Sequence, residues 1–261
     1  MKDEIEKLAR LTVESRRVVV FTGAGVSTES GIPDFRSPGG IWSRYDPEDF
    51  TIQRFISSRE ARRNLWKMSV ESGLLIDAKP NAAHYAIAEL HQLGKLDCVI
   101  TQNIDNLHQR AGVPQDRVFE LHGNMSWVVC LGCHRRFPMR EVLEKLAKEN
   151  VEILDCPECQ GILKPDAVFF GEPLPQEVLQ EAIRRSQKCD LLIVIGSTLL
   201  VYPAAYVPVY AREAGAKLGI VNLTSTPLDR EAEVVIRGKA GEIMPKVVER
   251  VKLLGANPER A

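Results

Sequence analysis

Residues Gly23 to Arg36 read Gly-Ala-Gly-Val-Ser-Thr-Glu-Ser-Gly-Ile-Pro-Asp-Phe-Arg, directly after the short run Arg17-Val-Val-Val-Phe-Thr22. A run of β-branched and aromatic residues flanked by polar ones predicts a buried parallel strand. Glycines where such a strand ends let the backbone turn tightly and approach a phosphate, whose charge meets the free N–H groups beyond the turn. The dinucleotide fingerprint of hydride-transferring dehydrogenases is nevertheless broken, because Thr28 stands where its third glycine belongs. Gly31-Ile-Pro33 then stops any helix and delivers Asp34, Phe35 and Arg36 on a loop. A charged pair and an aromatic ring beside a phosphate cradle predict chemistry performed on the nucleotide.

The rest of the chain is organised around this turn. Ile5, Leu8, Leu11 and Val13 lie near helical spacing and predict a scaffolding helix over 3–16. Residues 37–79, with Gly39-Gly40, Trp42 and helical character from Ser58 to Ser72, read as an insertion outside the sheet. Pro80 opens a helix that presents Ile87, Leu90 and Leu93 on one face and stops at Gly94. Further strands are expected at Asp97–Thr101, Val118–Leu121, Asp190–Ile195 and Lys217–Asn222, and further helices over 175–187, 203–215 and 241–254. Strands alternating with helices predict an α/β, doubly wound parallel sheet. Its domain comprises 1–36, 80–126 and 166–261, and the insertion 37–79 joins the segment 127–165 as a smaller domain.

Two polar segments fall at strand ends, where open α/β sheets hold their ligands. Gln102-Asn-Ile-Asp-Asn-Leu-His108 is either a solvated turn or a recognition loop; its amides and acid suit both. His122 follows a strand and precedes Gly123. Taken alone, such a histidine is a satisfied core residue more often than a catalyst. His84, His91 and His108 fall on expected helices or turns and take structural roles.

The composition is that of a soluble globular protein of 261 residues. A formal charge of -1, with acids and bases interspersed, leaves no electrostatic footprint for a nucleic-acid backbone. Met1-Lys-Asp-Glu-Ile-Glu-Lys-Leu8 carries acids where a signal peptide needs an apolar core, and no apolar run reaches the roughly 20 residues of a membrane span. A cytoplasmic protein without membrane contact is expected. In a reducing compartment, Cys130-x-x-Cys133 and Cys156-x-x-Cys159 favour a metal over disulfides. Their spacing suits one zinc ion, a redox dithiol or an iron centre being the alternatives; four thiolates leave no open position, so the zinc is structural. His134 reads as a surface residue rather than a fifth ligand, and Cys98 and Cys189 as small buried hydrophobes.

The stretch Gly23–Arg36 resembles the opening motif of the sirtuins, NAD-dependent protein lysine deacylases, and Thr101-Gln-Asn-Ile-Asp-x-Leu-His108 is similar to a second motif of that family. The resemblance covers residues 18 to about 242 and implies a Rossmann-like sheet with a helical insertion and a zinc module. It implies NAD as co-substrate, held by Gly23, Ala24, Gly25, Ser27, Asp34, Phe35, Arg36 and Trp42 on the first turn and loop. Gln102, Asn103, Ile104 and Asp105 would meet nicotinamide and its ribose. Gly196, Ser197, Thr198, Asn222, Leu223 and Ala240 complete the implied cofactor site. Ser197-Thr198 inverts the Thr-Ser order common in the family, and both residues keep a short hydroxyl.

By the same resemblance His122 is the general base, with Asn103 and Asp105 as catalytic anchors. An acylated lysine of a protein substrate would pair along Val168, Phe169, Phe170, Gly171 and Glu172, opposite Val201. The products implied are deacylated lysine, nicotinamide and 2′-O-acyl-ADP-ribose. Other readings on the same fold are a protein ADP-ribosyltransferase and a non-catalytic NAD-sensing scaffold. Sirtuins that favour succinyl-lysine carry a Tyr-x-x-Arg pair in the insertion; no such pair occurs here, so neutral acyl groups are expected to be preferred.

Overall fold

A computed structural model of the chain describes residues 1–72, 78–149 and 153–256, so parts of the expected insertion and of the cysteine segment lie outside the described residues. In chain order, α1 (Lys2–Glu14) leads into β1 (Val18–Thr22), and α2 (Ile52–Ser57) and α3 (Arg59–Ser72) form the insertion. Next come α4 (Ala82–Gln92), β2 (Leu96–Thr101), the short α5 (Leu107–Arg110) and β3 (Val118–Glu120). β4 (Gly123–Cys130), β5 (Arg136–Pro138), α6 (Met139–Glu149) and β6 (Leu163–Ala167) follow. The chain then runs through α7 (Gln176–Ser186), β7 (Leu191–Ile195), α8 (Val207–Glu213), β8 (Lys217–Val221), β9 (Val234–Ile236) and α9 (Ala240–Gly255).

The apolar run of β1 is continuous because both of its faces are covered. Val18 and Val20 pack with Leu8 of α1, Ile87 and Leu90 of α4, and Met244 and Val248 of α9. Val19 and Phe21 point the other way, into a cluster with Cys98, Ala182 of α7 and Ala211 of α8. This two-residue alternation between separate cores is what a strand between two helical layers requires. Cys98 and Cys189 are buried in the second core, as expected of small hydrophobes.

The large sheet is parallel throughout, in the order β3-β2-β1-β7-β8-β9. Its direction of winding reverses between β1 and β7, which opens a crevice at the strands' carboxyl ends. β9 was not anticipated; three residues are too few to show a period. α4 ends as expected at Gly94, whose φ of 69° suits a residue without a Cβ. Leu93, expected on its buried face, is instead exposed at the helix cap, one position past the last turn.

The cysteine segment, in which the sequence shows little sheet periodicity, contains an antiparallel sheet of order β5-β4-β6 and the helix α6. Ser126 and Trp127 on β4 are exposed while Val128 and Cys130 are buried, so no clean alternation marks the strand. β4 begins at Gly123, opposite Ala167 of β6, so the small sheet reaches beyond positions 127 and 165 into the links with the large sheet. Phe55, Leu65 and Trp66 of the insertion share one core with Val128, Met139, Leu146 and Leu163. Among the described residues, no helix is long and apolar enough to cross a membrane.

Candidate active site

At the reversal point the turns after β1 and β7 interlock backbone to backbone. Gly25 N–H donates to the Gly196 carbonyl at 2.8 Å, and Gly23 N–H to that of Ile195 at 3.2 Å. A Cβ on Gly25 would lie 2.8 Å from the Gly196 oxygen, closer than any side chain sits, and Gly196 itself is held at φ 63°. Ala24–Val26 and Thr28–Ser30 form two 3-10 turns rather than an α-helix, and Gly31 ends them in a left-handed conformation. The break anticipated from Gly31-Ile-Pro33 is therefore present.

Beside this cradle, four polar side chains from three segments form a directed chain of hydrogen bonds. Asn81 N–H donates to His84 Nδ1 at 3.3 Å, so the His84 proton resides on Nε2, which faces Ser27 Oγ at 3.4 Å. Ser27 Oγ donates in turn to Asp105 Oδ2 at 2.6 Å. Asn103 Nδ2 reaches both Ser27 Oγ (3.0 Å) and Asp105 Oδ2 (3.3 Å), and Asp105 Oδ1 accepts from Leu107 N–H at 3.0 Å. All four residues are buried. Burial holds His84 down from its ordinary 6.5 to about 4, although the Asp105 carboxylate pulls the other way. Asn103 is seated from below, its N–H donating to Thr101 Oγ1, which also accepts from Thr22. His108 Nε2 meets Thr22 Oγ1 at 2.9 Å, and burial lowers its affinity for a proton strongly.

His122 stands at the joint between β3 and β4. Its Nδ1 donates to the Gln102 carbonyl at 2.9 Å, since a carbonyl can only accept. The second nitrogen, Nε2, therefore carries the free lone pair. Burial lowers the pKa of the ring, opposed by that carbonyl bond, so the neutral form prevails at neutral pH. The Gln102 side chain accepts from Ser197 Oγ at 2.8 Å, which ties the β2 turn to the β7 turn. Arg36 Nη1 lies 3.5 Å from Thr198 Oγ1. Ile104 accepts Met125 N–H at 2.9 Å and so joins the recognition loop to β4.

The remaining candidates sit around this centre. Asp34 caps its own loop through the N–H groups of Arg36 and Ser37. Phe35 and Phe170, 39% and 48% exposed, both pack on Trp42, at ring distances of 5.1 and 5.9 Å. Phe170 also bridges to the insertion, donating to the Phe50 carbonyl and accepting from Ile52 N–H. Val168 N–H donates to the His122 carbonyl at 2.8 Å. Among the described residues nothing bonds to the Val168 carbonyl or to Gly171 N–H. The Glu172 carboxylate is turned inward, to Phe169 N–H and Lys164. Val201 accepts from Ala205 N–H at the entry to the turn before α8. Asn222 holds Thr224 at the end of β8, the neighbouring Leu223 is 61% exposed, and Ala240 begins α9, where Glu29 caps the adjacent Gly241 N–H. No hydrogen bond links these three to the central cluster among the described residues.

The four cysteines converge. Their sulfur atoms all lie within 4.8 Å of one another, with Cys130 and Cys159 at 3.5 Å and Cys133 and Cys156 at 3.7 Å. A tetrahedron of thiolates about 2.3 Å from a zinc ion has edges of about 3.8 Å, so the set fits zinc. His134 and Gln160, each just after a Cys-x-x-Cys pair, adopt left-handed backbone conformations at φ 60° and 61°, closing two matching loops.

Residues 23–203 match the model of the Sir2 family. The chain belongs to the Sir2 family. The NAD-dependent protein deacylase 2 of Archaeoglobus fulgidus is 49% identical over 255 residues, covering 97% of this chain and 98% of that protein. A solved Sir2 enzyme superposes with a TM-score of 0.89 at 50% identity, covering 97% of this chain and 100% of that one. Another Sir2 chain, solved with a myristoylated histone peptide, has a TM-score of 0.81 at 44% identity and covers 98% of this chain and 99% of its own.

In this Sir2 chain the sequence reading left His84 without a part in the site. The available signal was Asn81-x-x-His84, the spacing of a capping box with histidine in the place of glutamate. Such a histidine has one nitrogen fixed by the helix start and the other free to point into the sheet.

Proposed function

We propose that this chain is an NAD-dependent protein lysine deacylase in which His122 is the general base. The observation that carries the reading is the tautomer of His122. With Nδ1 engaged by the carbonyl of Gln102, the residue that precedes Asn103 of the Ser27–Asn103–Asp105 cluster, Nε2 is left as a neutral acceptor. NAD suits the residues present: the interlocked glycine turns at the reversal point leave room only for backbone, as a pyrophosphate cradle requires. Gly23 to Ser27, Gly196 to Thr198 and Asn222 would hold its phosphates and ribose, and Asn103 and Asp105 its nicotinamide end. When bound, NAD supplies an ADP-ribosyl group that accepts the acyl chain as nicotinamide departs. The overall balance is acyl-lysine, NAD and one water giving lysine, nicotinamide and 2′-O-acyl-ADP-ribose.

The protein's own part is positioning and proton transfer. Phe35, Trp42 and Phe170 would screen the reacting centre from water. His122 Nε2 would take the proton of a ribose hydroxyl. The free Val168 carbonyl and Gly171 N–H would pair with the main chain of an acyl-lysine peptide, as an added strand does. Cys130, Cys133, Cys156 and Cys159 would hold one zinc ion whose four sulfur ligands leave it no role beyond structure. Mass spectrometry of an acyl-lysine peptide library incubated with the protein and NAD tests the reading. Loss of the acyl mass with formation of acyl-ADP-ribose is expected. A gain of ADP-ribose mass on the peptide, or NADH absorbance, would overturn it.

A further inference from the structure

Val168 to Phe170 lie in a segment that belongs to neither sheet, yet the proposed reaction needs their backbone in one place. What fixes it is a buried ammonium group. Lys164 is 4% exposed, and its Nζ donates to the Pro165 carbonyl at 3.1 Å, the Ala167 carbonyl at 2.6 Å and Glu172 Oε2 at 3.0 Å. Three donors meet three acceptors, so the charge is fully satisfied. The group also lies 4.4 Å from the centre of the Phe169 ring.

Glu172 completes the arrangement. The same Oε2 accepts Phe169 N–H at 2.7 Å, while Glu172 N–H donates to the Phe169 carbonyl at 3.0 Å. Both main-chain groups of Phe169 are thereby engaged within the segment. Since neighbouring residues of an extended chain point their polar groups to opposite sides, this fixes the orientation of Val168 and Phe170. Their groups then face His122 and the insertion.

We infer that Lys164 is a positioning residue for the peptide substrate: through Glu172 and the carbonyls of Pro165 and Ala167 it holds the 165–172 segment as a preformed edge for strand addition. A preformed edge removes an ordering cost from binding rather than from the chemical step. The brace should therefore govern peptide KM and leave the NAD site alone. This rests on the deacylase reading above.

The test compares Lys164→Met with the double variant Lys164→Met/Glu172→Gln, which removes the buried ammonium and its half-buried carboxylate partner together. KM for an acetyl-lysine peptide is expected to rise about tenfold in both, with kcat and the KM for NAD within about twofold of the native protein. The double variant should be no worse than the single, since the two side chains act as one unit. A fall in kcat at unchanged peptide KM would mark a merely structural residue and overturn the inference. Hydrogen exchange gives a readout without turnover. In the native protein the Phe169 amide should be protected although it lies outside any strand, and Lys164→Met should expose it while β1 and β7 stay protected. An unprotected Phe169 amide in the native protein also overturns the brace, even if neither variant folds. Absence of any acyl-peptide turnover by the native protein would instead count against the deacylase reading, leaving the exchange result to decide on the brace.

Discussion

Replacing Asp105 by Asn exchanges one oxygen for an amide nitrogen and preserves the shape of the side chain, yet the surroundings of this carboxylate have no place for an N–H group. Oδ2 receives Ser27 Oγ–H at 2.6 Å and Asn103 Nδ2–H at 3.3 Å, while Oδ1 receives Leu107 N–H at 3.0 Å. Whichever way the new amide is turned, its NH2 faces a donor. Ser27 cannot relieve the conflict by rotating, because its oxygen already faces Asn103 Nδ2 at 3.0 Å and His84 Nε2 at 3.4 Å. At least one buried donor is left without a partner, which costs about 1–3 kcal/mol.

Urea unfolding followed by circular dichroism should show this as an earlier midpoint at unchanged slope. Asp34→Asn is the matched control. There Oδ1 alone accepts the N–H groups of Arg36 and Ser37, and Oδ2 faces only the exposed Ser37 hydroxyl, which can turn to accept from an amide. Its cost should stay below about 0.5 kcal/mol. Under the proposed function Asp105→Asn should also slow nicotinamide exchange. An Asp105→Asn midpoint equal to that of the native protein, or a larger loss in Asp34→Asn, would refute the reasoning.

His122→Ala should lower deacylation by about 10²- to 10⁴-fold while NAD still binds, measured by turnover and by calorimetry; near-native turnover would remove His122 from the mechanism. Cys130→Ala should release zinc and shift the thermal midpoint downward, and full stability without metal would exclude a structural ion. His84, at about 4 in the folded chain against an ordinary 6.5, binds its proton more weakly than in the unfolded chain. Its contribution is complete above pH 6.5 and is lost as pH falls towards 4, on the order of 3 kcal/mol, and His84→Gln should flatten the stability profile in that window. Acetyl-lysine peptides should be processed with higher kcat/KM than succinyl ones, because the insertion has no Tyr-x-x-Arg pair and the guanidinium of Arg62 in α3, which could stand in for that arginine, is engaged by the Phe55 and Ile56 carbonyls at 2.8 Å. A succinyl value equal to or above the acetyl value would sink that expectation.

The large sheet could be read from the sequence because strands covered on both faces leave runs such as Val18–Phe21 and Leu191–Ile195, which no surface element can afford. The glycine turns and the cysteine pairs were legible because their constraints are local, a backbone approach in one case and a fixed ligand spacing in the other. The small sheet was not. β4 exposes Ser126 and Trp127 and buries Val128 and Cys130, so its burial is set by α6, which packs on it in a core shared with α3, rather than by a period. Lys164 and Glu172 give no signal either. Their contact depends on the turn between them, and a charged side chain such as Lys164 reads as a surface residue, even between Leu163 and Ala167-Val168, until the turn is known.

The position of His122 illustrates why a site can be named from sequence before its geometry can be stated. Leu121 N–H donates to the Thr101 carbonyl and thus continues the large sheet, whereas Gly123 already belongs to the small one. His122 is the residue between them. Its ring is fixed from the large-sheet side by the Gln102 carbonyl, and its own carbonyl is fixed from the small-sheet side by Val168 N–H. Gly123 permits the change of direction at φ 74°, and a Cβ there would fall 2.2 Å from the Asp166 oxygen. The base of the proposed reaction and the edge proposed to receive the peptide are therefore joined by one hydrogen bond, from Val168 to His122. Because that bond reaches only the His122 main chain while the Gln102 carbonyl holds the imidazole, loosening the 165–172 segment should disturb the peptide edge and leave the ring on the large-sheet side in place.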